Sequence, residues 1–476
     1  MTLQMPWRLL SVELAVCIWI LLVLASDLLL PSTRKPSLWA LSLTGIVVCA
    51  VLLVWQQATG VGGTFQDMLV ISPFSGYFKG LFLLTVAAVI VMTREFHRHL
   101  RANLGAFYLL LLSALLGMLV LASINDLLML FLGLELLTFS LYIMAAYLRT
   151  DARSVEAGMK YLIMGSVSSG FLVYGIALLY GFAGGTGFPA LRAALASGPV
   201  PLTAQAGLLL ILAGLGFKVA AVPFHLWVPD VYEGAPTPVV ALLSVGSKMA
   251  GVVAMLRVLY GVFLPMGWLW TSLLAGLSAA TMLYGNLAAI PQTNIKRLLG
   301  YSSIGHAGYL LMGLSTGSGP GVEAVAYYLL AYLVSNLTVF LVVVAASDAL
   351  GGDALDHYKG LSRRSGLLAA AMFIGLLSLA GVPPLAGFVG KLFVLLQTAE
   401  SGRLWLVAIG AVNVAISLYY YLMVVKRMYL DAPRATSPIH VDGLTKLVLL
   451  GLVAGIFLVG IFQEPFVQFI TSAIHP

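Results

Sequence analysis

Four ionisable residues stand inside long apolar stretches: Glu135 in LLMLFLGLELLTFSLYIM, Lys218 in GFKVAAVPFHLW, Lys248 in LLSVGSKMAGVV and Lys391 in AGVPPLAGFVGKLFVLL. A charge at the centre of a bilayer costs on the order of 2.5 kcal/mol or more, so one that persists there has a partner, a watery cavity or a task. The task these residue types suit is proton transfer. A desolvated lysine holds its proton loosely, and a carboxylate brought close makes it hold tightly. Moving Glu135 toward or away from Lys218 would therefore load or unload a proton. The alternatives are inert ion pairs and side chains that snorkel to the interface. Arg257, close to the outer end of its helix, fits snorkelling. Glu135 and Lys218 lie about eight or more residues from the ends of their spans, too deep for it.

Two histidines extend the set, because imidazole titrates near neutrality. His306, in LLGYSSIGHAGYLLMG, lies nine residues past the basic pair Lys296 and Arg297. That is roughly 13 Å along a helix, a depth suited to a bridge between Lys248 and Lys391; a histidine merely hydrogen-bonded in a packed bundle is the competing reading. His225 lies past a proline break, near the inner surface, and is a further candidate. His97 and His99 fall in a basic inner loop and read as solvated.

Two of the lysines flank prolines. Pro223 comes five residues after Lys218, and Pro384, preceded by Pro383, comes seven residues before Lys391. A proline inside a span frees backbone carbonyls, which is tolerated at membrane depth only where the gap is buried in protein or faces water. Paired interruptions in the two halves of a chain point to an internally duplicated transporter with its sites at the breaks, against the alternative of coincidental kinks.

The elements that must position these residues are membrane helices. Of 476 residues 61% are hydrophobic and 9% charged, too few charges to cover a soluble protein of this length. Apolar runs of roughly 20 residues recur about 14 times, and the first, 11–30, reads as a retained helix rather than a cleaved signal. An even count puts both termini on one side. With the N-terminus outside, the inner loops hold Arg34, Lys35, Arg94, Arg98, Arg101, Arg149, Arg153, Lys160, Lys296, Arg297, Lys359, Arg363, Arg364, Lys426, Arg427, Arg434 and Lys446, 17 basic residues. The outer segments hold 4, namely Arg8, Lys79, Arg192 and Arg403. This asymmetry follows the rule that cytoplasmic loops collect lysine and arginine, so the net charge of +7 marks topology rather than a nucleic-acid surface. The broken spans fall seventh and twelfth. An offset of five helices reverses direction in the membrane, so the expected architecture is all-α and polytopic. It comprises about 14 transmembrane helices with two inverted five-helix repeats, roughly 105–262 and 264–430, flanked by helices in 1–104 and 440–472.

No cofactor site is visible. Cys17 and Cys49 are the only cysteines, too few for an iron–sulfur cluster held by cysteines. The glycine-rich GFAGGTGFPA (181–190) follows a helix rather than a strand and lacks the spacing and Lys-Ser/Thr of a phosphate loop, so it reads as a flexible outer loop.

GFKVAAVPFHLWVPDVYEGAPTPVVALLS (216–244) is similar to the signature of a family shared by the antiporter-like subunits of respiratory complex I, the proton-pumping NADH-quinone oxidoreductase, and by the multisubunit cation/proton antiporters. DARSVEAGMKYLIMGSVSSG (151–170) and TNIKRLLGYSSIGHAGYLLMG (293–313) also resemble family segments. Some members are longer and end in a lateral helix, whereas this chain stops soon after its fourteenth span; others carry glutamate in the broken twelfth helix, where Lys391 stands here. The resemblance implies that Glu135 and Lys218 form the coupling pair, Lys248 the central lysine, His306 a connecting residue and Lys391 the lysine of the outward half-channel. It also implies that electrons pass from NADH through FMN and iron–sulfur clusters to quinone in partner subunits, with no cofactor in this chain. The implied partners are other membrane-arm subunits, antiporter-like neighbours included, and the lipid bilayer, with no nucleic acid; the implied location is a bacterial inner membrane, both termini periplasmic. A subunit of a cation/proton antiporter or a membrane-bound hydrogenase would use the same residues with other partners. A purely structural membrane subunit would use none of them.

Overall fold

The structure is a computed structural model that describes residues 7–31, 35–100, 103–433, 435 and 437–474. Arg34, Arg101 and Arg434 of the inner set lie outside the described residues, as does the side chain of Arg98.

Helices α1 (Ser11–Leu29) and α2 (Leu38–Ala58) come first, and a hairpin of β1 (Gly63–Phe65) and β2 (Leu69–Ile71) leads into α3 (Pro73–Leu100). Next come α4 (Leu104–Ser123), α5 (Leu127–Ala145), α6 (Ala152–Ala183) and a short α7 (Phe188–Ala196). The first broken crossing is α8 (Leu202–Val219) with α9 (Trp227–Gly234). The next crossing joins α10 (Thr237–Leu242) to α11 (Lys248–Gly261) through a π turn at Leu243–Ser247. After α12 (Gly267–Ala289), α13 (Ile295–Leu314), α14 (Gly319–Leu350) and the one-turn α15 (Leu361–Arg364), the second broken crossing pairs α16 (Gly366–Ala380) with α17 (Ala386–Glu400). α18 (Leu404–Tyr429), α19 (Gly443–Ile461) and α20 (Gln463–Ile474) complete the described chain.

Twelve segments among the described residues are long and apolar enough to cross a membrane. The remaining two of the fourteen crossings are α13, whose Lys296, Arg297 and His306 dilute its hydropathy, and the pair α16–α17, cut short by its break. Because these helices are apolar all round, burial rather than amphipathicity sorts them. The apolar window of the α10–α11 crossing is 100% buried and that of α14 is 94%, whereas that of α1 is 28%. The α10–α11 crossing and α14 therefore form the centre, and α1 turns most of its surface outward. Polar caps fix several helix starts: Asp126 accepts from Leu128 N–H at 2.6 Å, and Asn294 from Lys296 N–H at 2.9 Å. Each satisfies an amide that the first helical turn leaves unpaired.

Both breaks begin the same way. The helix stops at a residue in the left-handed region, Ala220 with φ +66° and Gly381 with φ +90°, and the amide of that residue and the next fold back onto the last turn. At the first break Ala221 N–H donates to Gly216 O at 2.9 Å; at the second Val382 N–H donates to Leu377 O at 3.0 Å. This is how a helix ends abruptly without orphaning its carbonyls.

Three expectations are corrected. Lys79, placed in an outer segment from sequence, lies on α3 with 0% exposure and pairs with Glu13 of α1 at 2.6 Å. Two opposite charges on neighbouring helices satisfy each other, which single-residue hydropathy does not reveal. Arg257 does not snorkel: its guanidinium donates to Ala122 O at 2.9 and 3.0 Å and lies 4.5 Å from the Phe74 ring. The glycine-rich outer loop is tied down, because Leu127 N–H donates to Thr186 O at 2.9 Å and Thr186 Oγ1 donates to Asp126 at 2.7 Å.

Candidate functional site

Lys218 sits in the last turn of α8, just before the first break, and is buried. Its Nζ donates to Thr138 Oγ1 at 2.7 Å and lies 3.4 Å from the Tyr161 hydroxyl. Glu135, one turn before Thr138 on α5, accepts from Ser169 Oγ of α6 at 2.5 Å. No ion pair within 4.0 Å joins Glu135 to Lys218 among the described residues. Both line one cavity of about 20 Å³ together with Thr138, Tyr142, Ser168 and Ser169. That is room for about one water molecule with several polar partners, so carboxylate and amine face one small polar space.

Lys248 begins α11 immediately after the π turn. Such turns rotate a helix locally and recur at functional sites; this one sets the lysine against α13, where its Nζ donates to the carbonyl and hydroxyl of Ser303. Ser303 Oγ also bonds the hydroxyls of Tyr232 at 3.1 Å and Tyr332 at 3.2 Å, and Tyr332 bonds Ser244 at 2.9 Å. One turn along α13, the His306 ring lies 5.0 Å from that of Tyr332. Its Nδ1 is 2.6 Å from the Tyr328 hydroxyl and its Nε2 3.3 Å from that of Tyr421, which in turn bonds Ser302.

Lys391, on α17 after the second break, reaches back so that its Nζ donates to Ala380 O at 2.9 Å. It lies 5.0 Å from the Tyr309 ring, which stacks at 6.2 Å on that of Tyr328, the partner of His306. His225 is also buried, but neither ring nitrogen has a hydrogen-bond partner among the described residues, and its ring packs edge-on against Tyr284 at 4.3 Å. The structure therefore brings Glu135 and Lys218 into one cavity and aligns Lys248, His306 and Lys391 through tyrosines; it joins His225 to neither group.

Sequence reasoning missed the hydroxyls. Thr138, Tyr161, Ser169, Ser303, Tyr328, Tyr332 and Tyr421 supply most of the contacts, and Thr138 is itself satisfied by Leu134 O at 2.5 Å. Tyrosine and serine are common in membrane helices, so only the helix faces turned toward a buried lysine would have marked these. Among the described residues no group of His, Cys, Asp and Glu is arranged to hold a metal ion.

Residues 124–417, which carry every one of these side chains except those of the flanking helices and Tyr421, match the family described as "NADH:quinone oxidoreductase/Mrp antiporter, TM". The chain belongs to that family. Its relatives include NADH-quinone oxidoreductase subunit N of Heliobacterium modesticaldum, 43% identical over 90% of this chain and 90% of the relative. Another is subunit N of Moorella thermoacetica, 42% identical over 97% of each chain. Among solved structures, a chain of respiratory complex I from Thermus thermophilus with bound aureothin superposes with a TM-score of 0.83 at 31% identity, covering 96% of this chain and 98% of that one. The fold is thus that of the membrane antiporter-like subunits.

Proposed function

We propose that this chain is a membrane-arm subunit of a proton-translocating NADH-quinone oxidoreductase. In this reading Glu135, Lys218, Lys248, His306 and Lys391 carry protons across the membrane while electrons pass from NADH to quinone in other subunits. The observation that carries the reading is that Lys218, Lys248 and Lys391 are all buried and none has an ion-pair partner among the described residues. Lysines retained for structure are paired when buried, as Lys79 is with Glu13. Unpaired lysines held by neutral hydroxyls and carbonyls can lose and regain a proton without dismantling the fold.

Charge enters from the Glu135 cavity. A carboxylate drawn toward Lys218 favours its charged form, and its withdrawal releases the proton. The proton would move by way of Lys248, Ser303, Tyr332 and His306 to Lys391, and from there outward. His225, with both ring nitrogens buried and unpartnered, is the group of the first break nearest the inner face. The two breaks, five crossings apart and opposite in direction, support inverted repeats at 105–262 and 264–430. FMN and iron–sulfur clusters belong to partner subunits, antiporter-like neighbours flank this chain, and both termini face the periplasm of a bacterial inner membrane.

A cation/proton antiporter or membrane-bound hydrogenase subunit would use the same path. The names of the 42–43% identical relatives favour the oxidoreductase. The deciding test is Lys218→Ala in the assembled complex, with NADH-driven acidification of inverted vesicles as readout. Pumping falls about a hundredfold or more, the scale on which a positioned acid–base group contributes. Proton flux equal to that of the unmodified complex would sink the proposal.

A further inference from the structure

The inner mouth of the first break carries charges that the proton path does not use. Half-helix α9 presents Asp230 and Glu233, and both are engaged from the sides. Lys160 of α6 lies 2.7 Å from Asp230 and 2.7 Å from Glu156 on its own helix. Arg297 of α13 lies 2.7 Å from Asp230 and 3.0 Å from Glu233. Among the described residues Asp230 is the one acid paired to both flanking helices, α6 and α13. These groups line a cavity of about 240 Å³ with Arg153 and Gly234, many times the volume of the cavity around Lys218.

The segments that carry Asp230, Lys160 and Lys218 meet through aromatic rings. Trp227, three residues before Asp230 on α9, stacks on Tyr161 at 4.5 Å and lies 5.3 Å from the Phe217 ring. Its Nε1 donates to Phe217 O at 3.1 Å. Tyr161 follows Lys160 in sequence, and its hydroxyl is the one 3.4 Å from Lys218 Nζ. The ends of α9 are held by different neighbours. Beyond its C-terminus Lys296 donates to Ala235 O at 3.1 Å and pairs with Asp353 at 3.2 Å, while at Gly234 the backbone packs so closely on α6 that a Cβ would come 2.4 Å from Arg153 O. The other end follows the non-helical turn 220–226, where Val222 N–H donates to Thr281 Oγ1 of α12 at 3.0 Å and Val228 N–H to His225 O at 3.0 Å. α9 is thus a short half-helix held by single contacts at its ends, and Asp230 at its middle supplies the ionic contacts to α6 and α13.

We propose that Asp230 is a positioning residue: with Lys160 and Arg297 it forms an ionic latch that holds Trp227 and Tyr161 closed between the inner aqueous cavity and Lys218. The latch is partly open to water, with side-chain exposures of 30–43% for Lys160, Asp230 and Arg297. Each pair is therefore weak and screened, which suits a contact that must release on every cycle. The inference rests on the reading of Lys218 as a proton carrier, but it concerns access to that lysine rather than its chemistry.

The test is made on the whole complex in inverted vesicles, with Cys17 and Cys49 replaced by alanine and Leu172→Cys placed in the Lys218 cavity as a reporter. The probe is hydrogen peroxide, close to water in size, added on the inner face and read by mass spectrometry as oxidation of the Leu172→Cys thiol to the sulfenic acid. Asp230→Asn raises the oxidation rate about tenfold, the factor that corresponds to a loss of about 1.4 kcal/mol. Lys160→Gln, which breaks the latch from α6, also raises it, and Asp230→Glu restores the slow rate. A merely structural role for Asp230 would lower the yield of complex without this specific gain and rescue. Oxidation in Asp230→Asn at the unmodified rate overturns the latch. So does failure of Asp230→Asn to assemble if Lys160→Gln assembles and is oxidised slowly. Lys218→Ala, measured alongside, separates the two ideas: normal pumping in that variant removes the proton-carrier reading whatever the oxidation rate shows.

Discussion

The two broken crossings solve one problem in two ways. Each has a half-helix that ends at mid-span with its dipole negative there, and each has a lysine close to that end. At the first break the lysine belongs to the ending helix: Lys218 lies in the last turn of α8 and points away, to Thr138 and Tyr161 beside Glu135. At the second the lysine comes from the following half-helix, and Lys391 reaches back to cap Ala380 O directly. A carboxylate shares the first lysine's cavity, whereas none pairs with the second among the described residues. The difference teaches that one ammonium is free to respond to a neighbour's charge and the other is bound into the closure of its own break. In the proposed function the first would serve as the loading site and the second as the endpoint, held against the end of its own break.

The paired lysine sets the scale for that comparison. Lys79→Met leaves Glu13 buried without its partner and should destabilise the subunit by about 3–5 kcal/mol, read as a lower melting temperature of the complex. Whatever complex assembles should still pump at the normal ratio of protons to NADH. Lys218→Met should do the reverse, with pumping lost and stability nearly unchanged, because Thr138 keeps its bond to Leu134 O. If Lys79→Met uncoupled pumping, the distinction between paired and unpaired lysines would fail.

Lys391→Met should fall between them. It removes the donor at Ala380 O, and a buried carbonyl without a partner costs about 1–3 kcal/mol. Proton pumping and stability should therefore both drop, unlike the clean separation expected at Lys218. Equal melting temperatures for the Lys218→Met and Lys391→Met complexes would show that the two lysines stand in the same relation to their breaks.

The caps offer a finer comparison of opposite sign. Gly381 at φ +90° needs glycine twice over, since a Cβ there would also come 2.9 Å from Lys391 Cδ. Gly381→Ala should cost about 1–2 kcal/mol in backbone conformation alone and displace the lysine it touches. Ala220 holds the equivalent left-handed position at φ +66° with a side chain. Ala220→Gly should relieve that strain and, after the extra freedom glycine gives the unfolded chain, come out about 0.5 kcal/mol stabilising or neutral. Hydrogen exchange at the two helix ends would resolve the signs, and a loss of protection on Ala220→Gly would contradict the assignment.

These contrasts explain what was legible in the sequence. Glu135, Lys218, Lys248 and Lys391 stood out because a lone charge in an apolar run has no cheap explanation, and Pro223 and Pro384 located the breaks beside them. The crossings followed from length and from the side on which basic residues collect. Lys79 was misplaced because its partner Glu13 is 66 positions away, on a different helix. The π turn before Lys248 leaves no signature in LLSVGSK, since none of its residue types distinguishes a π turn from an α-helical one. The tyrosines around His306 were hidden by abundance: 20 occur in the chain, and only packing selects Tyr328, Tyr332 and Tyr421. Asp230 lay within the family-like stretch, but its hold on two distant helices is a property of the fold.

The smallest effect is expected far from both breaks, where α3 meets α19. Asp442 caps α19 by accepting from Leu444 N–H at 3.0 Å and also bonds Arg94. That hydrogen bond from Arg94 holds the Asp442 carboxyl below its ordinary value of 3.8. A carboxylate depressed in the folded state contributes stability that is present above the unfolded value and is lost as pH falls through the folded one. Asp442→Asn keeps a capping oxygen and removes only the charge. With 41% of the Asp442 side chain and 29% of the Arg94 side chain exposed, solvent screening limits the loss at neutral pH to about 0.5 kcal/mol. The difference between variant and parent should shrink in high salt and vanish once pH drops below the folded value. Proton pumping should not change, since neither Lys218 nor Lys391 depends on this contact. A pumping defect in Asp442→Asn would instead tie the outer flank of the subunit to its breaks and end the division between a responsive centre and a passive frame.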